Sequence, residues 1–304
     1  MPQSPNRRDL LKLSTAAAAI FIGATNMNAQ DQPADKKRRP LKKAYFGLPK
    51  APSLLEQCKI LKEAGFDGIQ LNTPGADIKA VAAALKETGL QMEGTCCSQH
   101  WRLTLSDPDP SIRAKGLEAL LQSIRDAKEL GGTSVLLVPG VVNEKVSYAD
   151  CYKRSQDEIR KAVPLAQELG IKIAVENVWN NFHLSPLEAA RYVDEFESPA
   201  VGWYFDIGNV VNYGFPEQWI RILGKRILKL HIKEFDTKKA ESQGKHAGFS
   251  TQLLEGTNNW TAIMKALDDV GYTIADNWAT IEMVGGDAER MKTLSRQLDQ
   301  ILAK

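Results

Sequence analysis

The sequence has little of what would make several function classes easy to argue. Cysteine occurs only 4 times in 304 residues, at Cys58, Cys96, Cys97 and Cys151, with no Cys-x-x-Cys pair. That excludes a disulfide-stapled scaffold and gives thiolate-preferring metal ions no ligand set. The adjacent Cys96 and Cys97 read as packing residues at a strand end. Histidine also occurs only 4 times, too few for the multi-zinc site of a DNA-repair endonuclease. No Gly-x-Gly-x-x-Gly follows the first apolar run, so a dinucleotide-binding fold has no support. A formal charge of +2 is too small to argue for nucleic acid. The run Lys36-Lys37-Arg38-Arg39 has no interleaved aromatics on which bases could stack, and reads as solvated charge in a tether. No apolar stretch is long enough to span a membrane comfortably.

What is present begins with an address. Asn6-Arg7-Arg8-Asp9-Leu10-Leu11-Lys12 precedes a short Ala-rich apolar core and a small residue at Ala29. A charged head, a short apolar core and a plausible cut describe a secretory signal. The paired arginines followed by two leucines and a lysine resemble the twin-arginine signal, which exports folded proteins across a bacterial inner membrane. Residues 1–29 are therefore expected to be an export signal and residues 30–42, polar and proline-containing, a solvated linker. The expected location is periplasmic, with no membrane span once the signal is removed.

From residue 43 to the C-terminus, short apolar runs alternate with longer amphipathic stretches. Strands are expected near residues 44–47, 68–71, 90–94, 135–138, 171–175, 201–205, 227–230 and 278–281. A helix follows each; the first is capped by Ser53 with Glu56 three residues on, and the second is stopped by Gly89. This alternation implies a parallel sheet, and its eight units favour a single (β/α)8 TIM barrel over an open doubly wound sheet. Residues 235–258 form a long polar segment, expected to be a lid or binding loop.

Four consecutive expected strands end in ligand-type residues. They are Glu176, Asp206 in Asp206-Ile207-Gly208-Asn209, His231 in His231-Ile232-Lys233-Glu234, and Glu282. One acid at a strand end is often only a helix cap, and one histidine is often core; four in succession form a pattern. At the carboxyl-terminal rim of a barrel they can converge, carrying about three negative charges at neutral pH. A divalent cation is the natural remedy for such crowding, and these ligands suit Mn²⁺, Mg²⁺ or Co²⁺, with Zn²⁺ also compatible.

Ala174-Val175-Glu176-Asn177, Phe205-Asp206-Ile207-Gly208-Asn209, His231-Ile232-Lys233-Glu234 and Ile281-Glu282 resemble the xylose isomerase-like barrel family of sugar phosphate isomerases and epimerases. Glu255-Gly256 followed by Asn259-Trp260 is similar to that family's Gly-Glu-Gly turn. The resemblance runs in order from about residue 43 onward. It implies that Glu176, Asp206, His231 and Glu282 bind the metal and that Glu176 and Glu282 also move protons. The implied chemistry is proton abstraction beside a carbonyl through an enediolate. The chain departs from the family's ketose 3-epimerases at Asn209, where they carry His, and at Thr237, where they carry Arg. Residues that could take over substrate contact are His100, Trp101, Trp179, His183, Asn209 and Lys233.

Export and the lack of a phosphate cradle at the last two strand ends point to an unphosphorylated keto sugar. Isomerisation or epimerisation is the leading reaction. A lyase that cleaves 3-keto-glycosides by β-elimination at the same site is the alternative, and passive sugar binding is the rival class. The sequence leaves homo-oligomerisation open.

Overall fold

The structure, a computed structural model, describes residues 38–304. The expected export signal and residues 30–37 of the expected linker lie outside the described residues. Within them the order is β1 (Lys42–Phe46), α1 (Leu54–Glu63), β2 (Gly68–Thr73), α2 (Ile78–Thr88), β3 (Gln91–Cys97), α3 (Pro110–Glu129), β4 (Ser134–Leu137) and α4 (Tyr148–Leu169). Then come β5 (Lys172–Glu176), α5 (Pro186–Asp194), β6 (Val201–Asp206), α6 (Ile207–Val211), α7 (Pro216–Leu223), β7 (Ile227–Ile232), α8 (Thr237–Gln243), α9 (Trp260–Asp269), β8 (Trp278–Ile281) and α10 (Ala288–Leu302).

The eight strands are parallel and close into a barrel in sequence order. Closure is made by β1 against β8, with Lys42 opposite Trp278 and Tyr45 opposite Ile281. Strands covered on both faces should be short and apolar throughout, and β4 and β6 are buried along their whole length. The expected capping box at Ser53 and Glu56 forms, satisfying a free N–H at each end of the α1 entry. Gly89 ends α2 in the left-handed region at φ 68°.

The barrel interior is layered. Lowest lies the buried pair Lys229 Nζ–Glu93 Oε1 at 3.1 Å, with the Tyr204 hydroxyl 3.4 Å from Glu93. Above it, Cys96, Leu136, Ala174 and Tyr204 form a small separate cluster. Ala174 shares a face with Glu176 two residues on, so this cluster is the floor of the barrel mouth. The larger core fills the space between strands and helices.

Two expectations need correction, and one element was not expected. Residues 38–42 are not solvated linker. Arg38 Nε pairs with Asp299 at 2.7 Å, Arg39 with Asp268 at 2.5 Å, and Leu41 is buried. The last turns of α9 and α10 supply the carboxylates that turn these charges from tether into anchor. The segment 235–258 is not all loop, for it contains α8 and a 3-10 turn at Lys245–Phe249. A short helix, α6, follows β6 with no loop between them. Among the described residues no helix is long and apolar enough to cross a membrane.

Candidate metal centre

Glu176 and Asp206 are the last residues of β5 and β6, His231 lies one before the end of β7, and Glu282 follows β8 directly. One ligand atom from each lies within 4.8 Å of every other. His231 Nδ1 is 2.8 Å from Glu176 Oε1, 3.2 Å from Glu282 Oε2 and 3.9 Å from Asp206 Oδ2. On its other side, His231 Nε2 meets Gln70 Oε1 at 2.8 Å. That carbonyl oxygen can only accept, so it fixes the proton on Nε2 and directs Nδ1 at the carboxylates.

Asp206 fills the cap role and the ligand role with different oxygens. Its Oδ1 accepts from the Asn209 backbone N–H at 2.8 Å and caps α6. Its Oδ2 faces the cluster. Asn177 supports the arrangement by donating to the Asp206 carbonyl oxygen at 2.8 Å and accepting from the Asp206 N–H at 3.0 Å. The Lys233 ammonium enters from β7, 3.0 Å from Asp206 Oδ2 and 2.5 Å from Glu282 Oε2. A side chain at position 208 would press on Lys233 at 2.8 Å, so Gly208 makes room for the lysine stem.

The electrostatics are those of buried charges held together. Burial opposes the His231 imidazolium, and Glu282 and Glu176 more than reverse this, holding its pKa up at about 10. Burial pushes Asp206 up to about 7 against the pull of Lys233. Burial also raises Glu176, partly offset by His231. Burial also acts on the half-buried Glu282, yet Lys233 and His231 hold it well below the usual carboxylate range. Asp206 Oδ2 and Glu282 Oε2 are buried and make no hydrogen bond; Lys233 is at ion-pair distance without hydrogen-bond geometry. Three carboxylates and a histidine nitrogen converging on one point fit a hard or borderline divalent cation.

The mouth above is a cavity of about 380 Å³. Of the expected substrate-contact residues, His100, Trp101, Trp179, Asn209 and Lys233 line it. His183 does not. It is buried with both ring nitrogens unpartnered, packed on Phe182, Tyr192 and Trp203. Its backbone is left-handed, φ 54°, which accompanies the inward turn of its ring; burial lowers its pKa to about 3. Burial lowers His100 to about 4; its Nδ1 accepts from the Val138 N–H at 3.1 Å, leaving Nε2–H as a neutral donor. Asn209 is committed to its neighbours, donating from Nδ2 to the Asn177 carbonyl oxygen at 3.0 Å.

Sequence reasoning missed Phe46, Asn72, Ser98, His246 and Phe249, which also line the mouth. Phe249 and His246 come from the 3-10 turn and pack on Trp179 at 4.9 and 5.2 Å between ring centroids. Their aromatic character in a polar segment was the available signal. Glu234 anchors the following turn by accepting from the Leu254 N–H at 2.7 Å and Trp260 Nε1 at 2.8 Å. A Cβ on Gly256 would lie 2.4 Å from the Phe235 carbonyl oxygen, so the Glu255-Gly256 turn requires glycine for close approach.

Comparison with known proteins agrees with this architecture. The chain is 25% identical over 249 residues to L-ribulose-5-phosphate 3-epimerase UlaE of Escherichia coli O1:K1 / APEC, covering 78% of this chain and 85% of that one. Among solved structures, a D-tagatose 3-epimerase-like protein superposes with TM-score 0.71 at 21% identity, over 86% of this chain and 98% of that chain. The apo form of 3-keto-D-glucoside 4-epimerase YcjR from E. coli gives 0.69 at 19% identity, with the same coverage of both chains. Residues 58–301 match the family model of the xylose isomerase-like TIM barrel, and the chain belongs to that family.

Proposed function

We propose that the chain is a divalent-metal-dependent epimerase or isomerase of an unphosphorylated keto sugar. The observation that carries this reading is the convergence of Glu176, Asp206, His231 and Glu282 beneath a polar and aromatic cavity. The enzymatic class is supported by relatives whose names are those of sugar epimerases. Glu176, Asp206, His231 and Glu282 would hold the metal. When bound, the cation supplies positive charge that stabilises negative charge developing on a carbonyl oxygen.

The chain's own residues do the rest. Glu176 and Glu282 approach from β5 and β8, different sides of the mouth, so one carboxylate can take a proton from one face of a carbon and the other return one to the opposite face. Positioned proton transfer contributes about 10²–10⁴-fold in rate. Gln70 keeps the His231 ring oriented, and Asn177 and the α6 cap keep Asp206 oriented. His100 offers Nε2–H to a sugar hydroxyl. Trp179 and Phe249 exclude water and offer aromatic faces to a sugar ring.

The same lining argues against a phosphate. Among the described residues its one permanent cation is Lys233, already paired with Asp206 and Glu282. A dianion would meet carboxylates without a free cation. We also infer export from Arg7-Arg8 and the apolar segment after them; fusing residues 1–42 to a reporter and changing both arginines to lysine tests it.

The deciding assay gives metal-reconstituted enzyme free ketoses, their phosphates and a 3-keto-glucoside in deuterated water. Deuterium entering a ketose without bond cleavage supports the proposal. Aglycone release would make the enzyme a β-eliminating lyase. No exchange and no turnover with any of them would leave only a binding protein.

A further inference from the structure

Two further cavities continue from the mouth on one side. The first, about 360 Å³, shares Lys233, Phe249 and Glu282 with the mouth and adds Met283 and Val284. The second, about 530 Å³, begins at Val284 and is lined by Gln252, Glu255, Arg290, Thr293 and Gln297. Linked through shared lining residues, Glu282 and then Val284, they follow one another as a groove from the reacting centre over the segment after β8 to the face of α10. We infer that this groove binds further sugar units, so that the substrate is a keto unit carried at the end of a larger glycoside. This inference rests on the proposed keto-sugar activity.

The groove is preformed. Its floor, residues 283–286, is fixed to β1 and the segment after it: the Tyr45 hydroxyl donates to the Met283 carbonyl oxygen at 3.1 Å, and the Lys50 N–H to that of Gly286 at 2.8 Å. A Cβ on Gly285 would lie 2.4 Å from the Tyr45 hydroxyl oxygen, which makes the tight floor depend on glycine. The opposite wall is tied down by Gln297 Nε2, which donates to the Leu253 carbonyl oxygen at 3.0 Å. Each cavity is of a size that takes a small ligand.

The lining chemistry selects the ligand. Next to the mouth, Phe249 and Met283 offer apolar contact to a ring face. Beyond Val284 come amides, a hydroxyl, one guanidinium and one carboxylate, donors and acceptors mixed with charges that cancel. That set suits a neutral polyol. Arg290 donates from Nε to the Val284 carbonyl oxygen at 3.2 Å, and its terminal amino groups have no protein partner among the described residues. The Gln297 side-chain oxygen is buried and unpaired.

The test compares a free ketose with a disaccharide oxidised to the 3-keto form, using wild-type enzyme, Arg290→Ala and Gln252→Ala, each first shown to melt normally. The disaccharide should be preferred in kcat/KM by about tenfold or more. Each variant should raise KM for the disaccharide about tenfold more than for the free ketose. Equal use of both substrates, or equal loss on both, overturns the groove. If neither substrate turns over, the activity reading fails, and calorimetry with the unoxidised disaccharide still decides the groove. Binding weakened by Arg290→Ala supports it; no binding at millimolar concentration rejects it. An aryl 3-keto-glycoside preferred over the disaccharide and unaffected by Arg290→Ala would overturn the groove.

Discussion

Lys233→Met removes one of the two positive charges inside the metal-free cluster and leaves Asp206 and Glu282 with only the His231 imidazolium between them. At 3.0 and 2.5 Å, each carboxylate interacts with the ammonium by roughly 5–7 kcal/mol at an effective dielectric constant of about 20. Desolvation of the lysine cancels part of that, and breaking a buried pair by removing one partner typically costs about 3–5 kcal/mol. Asp206 is already pushed up to about 7, so it can take a proton and limit the damage. The lower figure, about 3 kcal/mol, is therefore the expectation, or a fall in Tm of roughly 6–12 °C for a domain of this size. A divalent cation restores positive charge among the same oxygens, so Mn²⁺ should raise Tm more in the variant than in the wild type. The assay is thermal unfolding of chelator-treated protein with and without added Mn²⁺. An unchanged Tm without metal, or a metal response no larger than that of the wild type, would refute the reasoning.

Glu176→Gln and Glu282→Gln should each lower kcat by about 10²–10⁴-fold on a ketose, and each should also lower the Tm of metal-free protein, because it removes a carboxylate paired with His231 and, for Glu282, with Lys233. His183 supplies an acid-stability prediction. Its folded pKa is about 3 and its unfolded value 6.5, so the unfolded chain takes the proton first. Its contribution is complete above pH 6.5 and is lost as pH falls toward 3, at up to about 1.4 kcal/mol per pH unit. His183→Asn, which tolerates the left-handed backbone, should flatten urea-measured stability over that window; an unchanged slope would contradict it. Gly256→Ala should cost about 1–3 kcal/mol through overpacking on the Phe235 carbonyl oxygen, read as a lower urea midpoint.

The barrel was legible in the sequence because its signals are local. Apolar runs, a capping box at Ser53 and a stop at Gly89 declare their elements without reference to distant residues. The four cluster residues were legible for a related reason: each ends an apolar run, and parallel strands in sequence order carry such ends to one rim. The rest depended on partners far along the chain. Arg38 and Arg39 look like tether charges until Asp299 and Asp268 meet them. The helix α6 is too short to show a helical period, and α8 buries no residue, so neither has an apolar stripe to read. Phe46, Asn72 and Phe249 reach the mouth only because the barrel closes and the segment after β7 folds over it. His183 was expected at the rim, but the left-handed turns at Asn181 and His183 send its ring into an aromatic cluster.

The most direct measurement is calorimetric titration of Mn²⁺ into chelator-stripped protein, wild type beside Asp206→Asn and His231→Gln, with folding of each checked by circular dichroism. A centre built from Glu176, Asp206, His231 and Glu282 should give one site per chain in the wild type, weakened by about tenfold or more in each variant. Absence of binding to folded wild-type protein, or equal affinity in all three, would contradict it.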